Sequence, residues 1–174
     1  MLACYNNVMK SRIERNKLLS ELTTMQVGGP ASYFSSANSL QELQELLEFA
    51  KVSGLRWRVV GGCSNILFGE AGFDGLIIQM NIAGIETTDS SSETATITAS
   101  AGEEWDDLVA YACSRGLSGI EMLSLIPGQV GSAVVQNIGA YGQQLSQVLK
   151  SIKILDAENG QIRTMDLTDL GLSY

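Results

Sequence analysis

The 174-residue sequence contains no histidine. That removes Ser-His-Asp and Cys-His nucleophile pairs, and it removes the commonest metal ligand. Cysteine is scarce: Cys4, Cys63 and Cys113 are odd in number, widely spaced and in no CxxC pattern. Neither a disulfide framework nor a structural zinc site is expected, and no metal ligand set stands out. Positive charge is also short, with 11 Lys and Arg against 19 Asp and Glu and a net charge of −8. A nucleic-acid binder needs a basic face to displace counterions from phosphate, and anionic lipid selects for the same feature. Neither partner is expected. A phosphorylated small ligand stays open, because backbone N–H groups also bind phosphate. No apolar run reaches the ~18 residues that suggest a membrane span. Met1 to Lys10 lack the apolar core and cleavage site of a signal peptide, so a reduced, cytoplasmic setting is the default expectation.

What is present suits a folded protein. Hydrophobic residues make up 45% and charged residues 17%, enough apolar surface for a core. The length suits one domain or two small lobes sharing a site. Residues 1–20 are mixed and basic (Lys10, Arg12, Arg15, Lys17) and read as an irregular lead-in or a short helix. Gly28-Gly29-Pro30 is a turn, and Ala31 to Ser36 reads as a strand. Ser39-Leu40-Gln41-Glu42 is a capping box that opens a helix with Leu43, Leu46, Leu47 and Ala50 on one face, ending at Gly54. Trp57 to Val60 and Leu76 to Met80 read as strands, so residues 21–82 form a βαβ-like lobe with a parallel pair.

The pattern changes near Asn81 to Gly84, where the best internal boundary falls. Ile85 to Thr88 and Thr94 to Ser100 read as strands, the second with period-two alternation. A helix is expected from about Glu104 to Arg115, stopped at Gly116, with Trp105, Leu108, Val109 and Ala112 on its apolar face. Val148 to Leu155 and Gln161 to Met165 form a hairpin candidate, and Thr168 to Tyr174 begins another element. Residues 83–174 make the second lobe.

Three segments carry candidate chemistry. Val60 runs into Gly61-Gly62-Cys63-Ser64-Asn65, where glycine lets backbone approach a ligand and Ser64 and Asn65 offer hydrogen bonds to phosphate or ribose. The plain alternative is an ordinary turn after a strand; no G-x-G-x-x-G opens a helix here. The second is Ile126-Pro127-Gly128-Gln129-Val130-Gly131-Ser132-Ala133, followed by Gln136 to Gly142. It is glycine-rich and nearly uncharged, which suggests backbone packed against a large planar or polar ligand. Pro127 could open a short helix whose N–H end faces a phosphate. The alternative is close packing within the protein that demands small residues. The third is Ala101-Gly102-Glu103-Glu104-Trp105-Asp106-Asp107. Its acids could do acid–base work or hold a metal, but favourable charge at a helix start with Trp105 in the core is the simpler account. Cys63 reads as a passive small residue, since a depressed pKa needs nearby positive charge and Arg58 is near in sequence only.

Together and in this order, these segments resemble the UDP-N-acetylenolpyruvoylglucosamine reductase family. The resemblance runs from Leu22 through Gly61 to Leu67, Ala101 to Trp105 and Gly119 to Glu121, and it peaks at Ile126 to Ala133 and Gln136 to Gly142. It implies an α+β fold, the vanillyl-alcohol-oxidase-type FAD-binding module of two small α/β lobes with FAD between them. By resemblance the FAD contacts are Gly61, Gly62, Cys63, Ser64 and Asn65 at the diphosphate, then Ile126, Pro127, Gly128, Val130, Gly131 and Ala133 along the flavin. Asn137, Gly139, Ala140, Tyr141 and Gly142 continue that wall. The implied reaction passes a hydride from NADPH to FAD and then to the enolpyruvyl ether of a UDP-sugar.

The sequence departs from the family in two ways. The family's catalytic arginine follows a tyrosine resembling Tyr174, and its serine and glutamate come from a later substrate-binding domain, so no catalytic residue is assigned here. These 174 residues alone are expected to be inactive. The family carries glycine where Cys63 stands; if that position needs φ > 0, cysteine is strained there by about 1 kcal/mol or more. A non-catalytic homologue that binds flavin or nucleotide, in a sensing or partner-binding role, is the alternative. An oxidase of the same fold is a weaker third reading, since the usual histidine tether for flavin is missing.

Overall fold

The computed structural model describes residues 12–172. Cys4, Lys10 and Tyr174 lie outside that range. The chain divides between Ile82 and Ala83 into two compact units.

The first unit is built on a four-stranded sheet. Its strands are β1 (Glu14–Leu18), β2 (Pro30–Ala37), β3 (Trp57–Val60) and β4 (Phe73–Met80), ordered β1-β2-β4-β3. β4 pairs in parallel with both β2 and β3, and β1 runs antiparallel along β2. The strand Glu14–Leu18 corrects the expected lead-in of residues 1–20. Its composition is ERNKL, with no apolar alternation to signal a strand. It forms because β2 offers it a free edge, and its charges stay at the surface: Lys17 pairs with Glu14 and Glu21, and the Arg15 guanidinium lies over the Tyr33 ring.

β4 carries Leu76, Ile77 and Ile78, all fully buried. A continuous apolar run of this kind needs cover on both faces. Ile77 packs with Leu19, Ala31, Phe34, Val60, Cys63 and Phe68 on one side. Period two turns Leu76 and Ile78 to the other side, which helix α1 (Leu40–Val52) covers with Leu43, Leu46, Leu47 and Ala50.

The start of α1 follows its capping box with one adjustment. The Ser39 hydroxyl accepts the Glu42 N–H at 3.1 Å, while the Glu42 carboxylate reaches past Ser39 to the Asn38 N–H and side-chain amide. Those Asn38 bonds hold the Glu42 carboxyl below its usual pKa, with the Arg12 guanidinium as a weaker contributor.

The second unit contains the hairpin β5 (Ile85–Ser90) and β6 (Ala95–Ala99), helix α2 (Trp105–Cys113) and helix α3 (Val130–Gln136). There follow a two-residue pair, β7 (Gly139–Ala140) with β8 (Gln143–Gln144), then the hairpin β9 (Ser151–Leu155) and β10 (Ile162–Asp166), and a short helix α4 (Leu167–Leu170). Its core is Trp105, Val109, Leu123, Ala133 and Leu145, supported by Leu108, Ile120, Ile126, Val130, Val134, Ile138, Ala140 and Leu149.

Removing the cap at Ser39 tests the energetics of the first unit. Ser39→Ala is expected to lower stability by about 1 kcal/mol in urea unfolding, and an unchanged midpoint would refute the capping role.

Candidate functional site

The two glycine segments belong to different units: Gly61–Asn65 to the first and Ile126–Gly142 to the second.

In the first unit, Gly61–Asn65 leaves the C-terminal end of parallel strand β3, where α/β sheets commonly place ligands. Val60 is buried and anchors the strand end, while Gly62 and Asn65 are exposed. Cys63 adopts φ +55°, the left-handed conformation that costs a side-chain-bearing residue about 1 kcal/mol or more. Its side chain is only 4% exposed and sits among Leu19, Phe34 and Phe68. Its S–H donates to the Gly61 carbonyl at 3.4 Å. Burying the thiol therefore offsets the backbone strain, and burial pushes its pKa up. Cys63 is thus inert packing beneath the loop. Downstream, the chain from the loop to β4 closes on the Gly28-Gly29-Pro30 turn: the Gly29 N–H donates to the Gly69 carbonyl at 3.0 Å. A Cβ on Gly29 would lie 2.0 Å from the Glu70 carbonyl oxygen, so only glycine allows the crossing.

In the second unit, the acidic segment Ala101–Asp106 holds the stretch Leu123–Gly131 along most of its length. The Trp105 indole N–H donates to the Leu123 carbonyl at 2.8 Å, and the Trp105 backbone N–H donates to the Gly128 carbonyl at 2.9 Å. Asp106 Oδ1 accepts the Ser124 hydroxyl at 2.8 Å and the Leu125 N–H at 2.7 Å. Gln129 Nε2 donates to the Gly102 carbonyl at 3.0 Å. The N–H groups of Val130 and Gly131 donate to the carbonyls of Glu103 and Ala101, both at 2.9 Å.

This arrangement corrects one expectation. Pro127 does not open the helix, and the helix start does not face outward. α3 begins at Val130 after Gln129, and its first N–H groups are committed to Glu103 and Ala101. Glu104 and Gln129 pair as an isolated antiparallel β-bridge, and that pairing draws the helix start inward.

The side chains of the second segment divide sharply. Ala133 is buried in the core, with Ile126, Val130 and Ala140 packed against it. Gly131 faces Ala101, where an added Cβ would lie 2.9 Å from the Ala101 Cβ and 3.0 Å from its carbonyl oxygen. Asn137 is buried at the end of α3 with φ +42°, and its Oδ1 accepts the Ser146 N–H at 3.0 Å. Pro127, Gly139, Tyr141 and Gly142 remain exposed, and Gly128 takes φ +129°. Leu125, Val135 and Tyr141 are each more than 80% exposed. No residue from Met122 to Leu149 is charged. An exposed apolar surface beside neutral backbone is unusual on a protein this acidic.

Gln129 is 5% exposed, and its Oε1 has no hydrogen-bond partner. It turns toward the third N–H of α3 in the manner of a capping box without closing the bond. The adjoining crevice, lined by Trp105, Pro127, Ser132, Gln136 and Ile138 among others, holds about 10 Å³. That is the lower limit for one water.

Sequence reasoning missed the work done by Ala101–Asp106. Two of its acids hold backbone: Asp106 accepts Ser124 and Leu125, and the Glu103 carboxylate accepts the Gly84 N–H. No periodic signal could have revealed this, because the contacts join the first residues of α2 and the turn before it to a stretch some twenty residues away, and no repeat spans that separation.

The fold and these loops define a class, and the chain belongs to the FAD binding domain family, whose model matches residues 31–166. Within that class it is similar to the UDP-N-acetylenolpyruvoylglucosamine reductase of Saccharopolyspora erythraea, at 40% identity over 90% of this chain and 43% of that protein. A solved structure of UDP-N-acetylenolpyruvylglucosamine reductase from Thermus caldophilus matches with TM-score 0.70 and 29% identity, covering 94% of this chain and 55% of that one. A VAO-type flavoprotein from Myceliophthora thermophila shares the fold at TM-score 0.59 and 18% identity, over 79% of this chain and 27% of that one. The chain spans about half the length of the curated relatives it matches.

Two expectations follow from this geometry. In the native protein, iodoacetamide should modify exposed Cys113 and spare Cys63, which should react only after unfolding; peptide mass spectrometry showing native labelling of Cys63 would contradict its burial. Gly131→Ala would gain roughly 1 kcal/mol of helix propensity but force Ala101 aside at a cost of about 1–3 kcal/mol. Net destabilisation in urea unfolding is expected, and a stabilised variant would contradict the contact.

Proposed function

We propose that this chain is the FAD-holding part of an NADPH-dependent reductase. Its reaction converts UDP-N-acetylenolpyruvoylglucosamine to UDP-N-acetylmuramate, in the cytoplasm, for peptidoglycan precursor synthesis and hence cell shape and division. The observation that carries this reading is the family match, whose residues 31–166 include both glycine segments, Gly61–Asn65 and Ile126–Gly142. Relatives of the same name, 35–40% identical over about nine-tenths of the chain, support the particular reaction.

The residues present fit such a cofactor. A flavin ring is planar and largely apolar, and its attached diphosphate is anionic. The uncharged run Met122–Leu149 would impose no buried charge on the ring, and exposed Leu125 and Tyr141 would supply apolar contact. Side chains of Ile126, Val130, Ala133 and Ala140 turn into the core, which leaves backbone at Pro127, Gly128 and Gly139 as the part that would face the cofactor. Gly61, Gly62, Ser64 and Asn65 would hold the diphosphate from the end of β3, with Cys63 as packing beneath. The chemistry supplied by bound FAD is hydride acceptance from NADPH and hydride donation to the enolpyruvyl double bond. This chain's part is to orient that group and keep its surroundings dry.

Purified protein should show the visible absorbance of bound flavin, or quench the fluorescence of added FAD. A colourless protein that leaves FAD fluorescence unchanged would sink the reading. With the UDP-sugar added, NADPH oxidation by these 174 residues alone should stay at background, since the family's charge-stabilising groups, worth on the order of 10²–10³ each in rate, are not among them.

A further inference from the structure

We infer that Asp106 is the positioning residue for the flavin-facing loop Leu125–Gly128. This rests on the FAD reading above. Leu125 adopts φ +62°, a conformation unfavourable for leucine, and its side chain is 82% exposed, so burial does nothing to offset the strain. What holds the turn is Asp106. One carboxylate oxygen takes both the Leu125 N–H, at 2.7 Å, and the Ser124 hydroxyl, at 2.8 Å. Bonds to an ionised acceptor are shorter and stronger than neutral ones. The same two contacts, the Leu125 N–H first, hold the Asp106 carboxyl below its usual pKa.

The turn at Leu125 decides what the loop presents. It sends Ile126 back against the core and leaves Pro127 exposed. Trp105, the preceding residue, takes the far end of the loop through the Gly128 carbonyl and the near end through the Leu123 carbonyl. Two consecutive residues of α2 therefore fix both feet of a four-residue arch. Trp105 is committed to the core, so Asp106 is the member whose task concerns the loop alone. Asp107, the next carboxylate, is exposed and on no part of the arch.

The test compares the parent chain with D106A, D106N and D107A. It measures FAD affinity by fluorescence quenching, stability by urea unfolding without FAD, and hydrogen exchange at the Leu125 amide. D106A is expected to bind FAD about tenfold more weakly and to expose the Leu125 amide to faster exchange. D106N, whose amide oxygen still accepts both bonds, should stay within about threefold of the parent. D107A should match the parent. A parent that binds no FAD overturns the cofactor reading and this inference with it. A parent that binds FAD while D106A binds within about twofold of it, or keeps its Leu125 protection, overturns this inference alone. So does a D106N as weak as D106A, since a carbonyl acceptor should suffice. If D106A does not fold, S124A removes one of the two bonds; about threefold weaker binding supports the role, and parent-like binding overturns it.

Discussion

The second unit depends on one segment gripping another: Ala101–Asp106 holds Leu123–Gly131 through backbone and side-chain hydrogen bonds. Ordering a loop residue costs about 1–2 kcal/mol of backbone entropy. A loop whose side chains are small, only partly packed or, like Leu125, out in solvent has little contact energy of its own to offset that. Hydrogen bonding to a neighbouring, already ordered strand of chain meets the cost, because each bond satisfies a backbone group that would otherwise be stranded. Trp105 makes the grip rigid. It is almost fully buried, so its indole N–H needs a partner, and the Leu123 carbonyl is that partner.

The first unit solves a related problem with close approach rather than side-chain clasps. Gly29 accepts the passage of Glu70 within a distance no Cβ would permit, and this closes the connection between β3 and β4 over the turn that starts β2. The Gly61–Asn65 loop thus begins at a buried strand residue and continues into a segment locked against another turn. Cys63 completes the local balance, with a strained backbone beneath which a buried thiol fills the core. The glycine that a left-handed position usually favours would relieve the strain and leave a gap.

Both units share a division of labour. Near the candidate cofactor surface many apolar side chains point into the protein, and what remains outward is backbone, proline, glycine and a few exposed apolar side chains such as Leu125 and Tyr141. A ligand recognised mainly by main-chain donors and flat apolar contact does not require charged side chains, which suits the uncharged run Met122–Leu149 inside the matched residues 31–166. The same feature explains why charge composition is uninformative about such a ligand.

The sequence alone was enough for whatever is periodic or punctuated. The α1 capping box, the apolar faces of α1 and α2, the two hairpins and the break near residue 82 follow from repeats of 3.6 and 2 and from glycine stops. The glycine segments were visible as motifs, and family resemblance gave them a meaning. What the sequence could not decide was direction. β1 is a strand only because β2 has an open edge; α3 turns its start inward because Glu103 and Ala101 are there to receive it; Ile126 and Pro127, adjacent in sequence, face opposite ways because Asp106 holds Leu125 in a left-handed turn. Each of these depends on a partner distant in sequence, and such contacts exist only once the chain has folded.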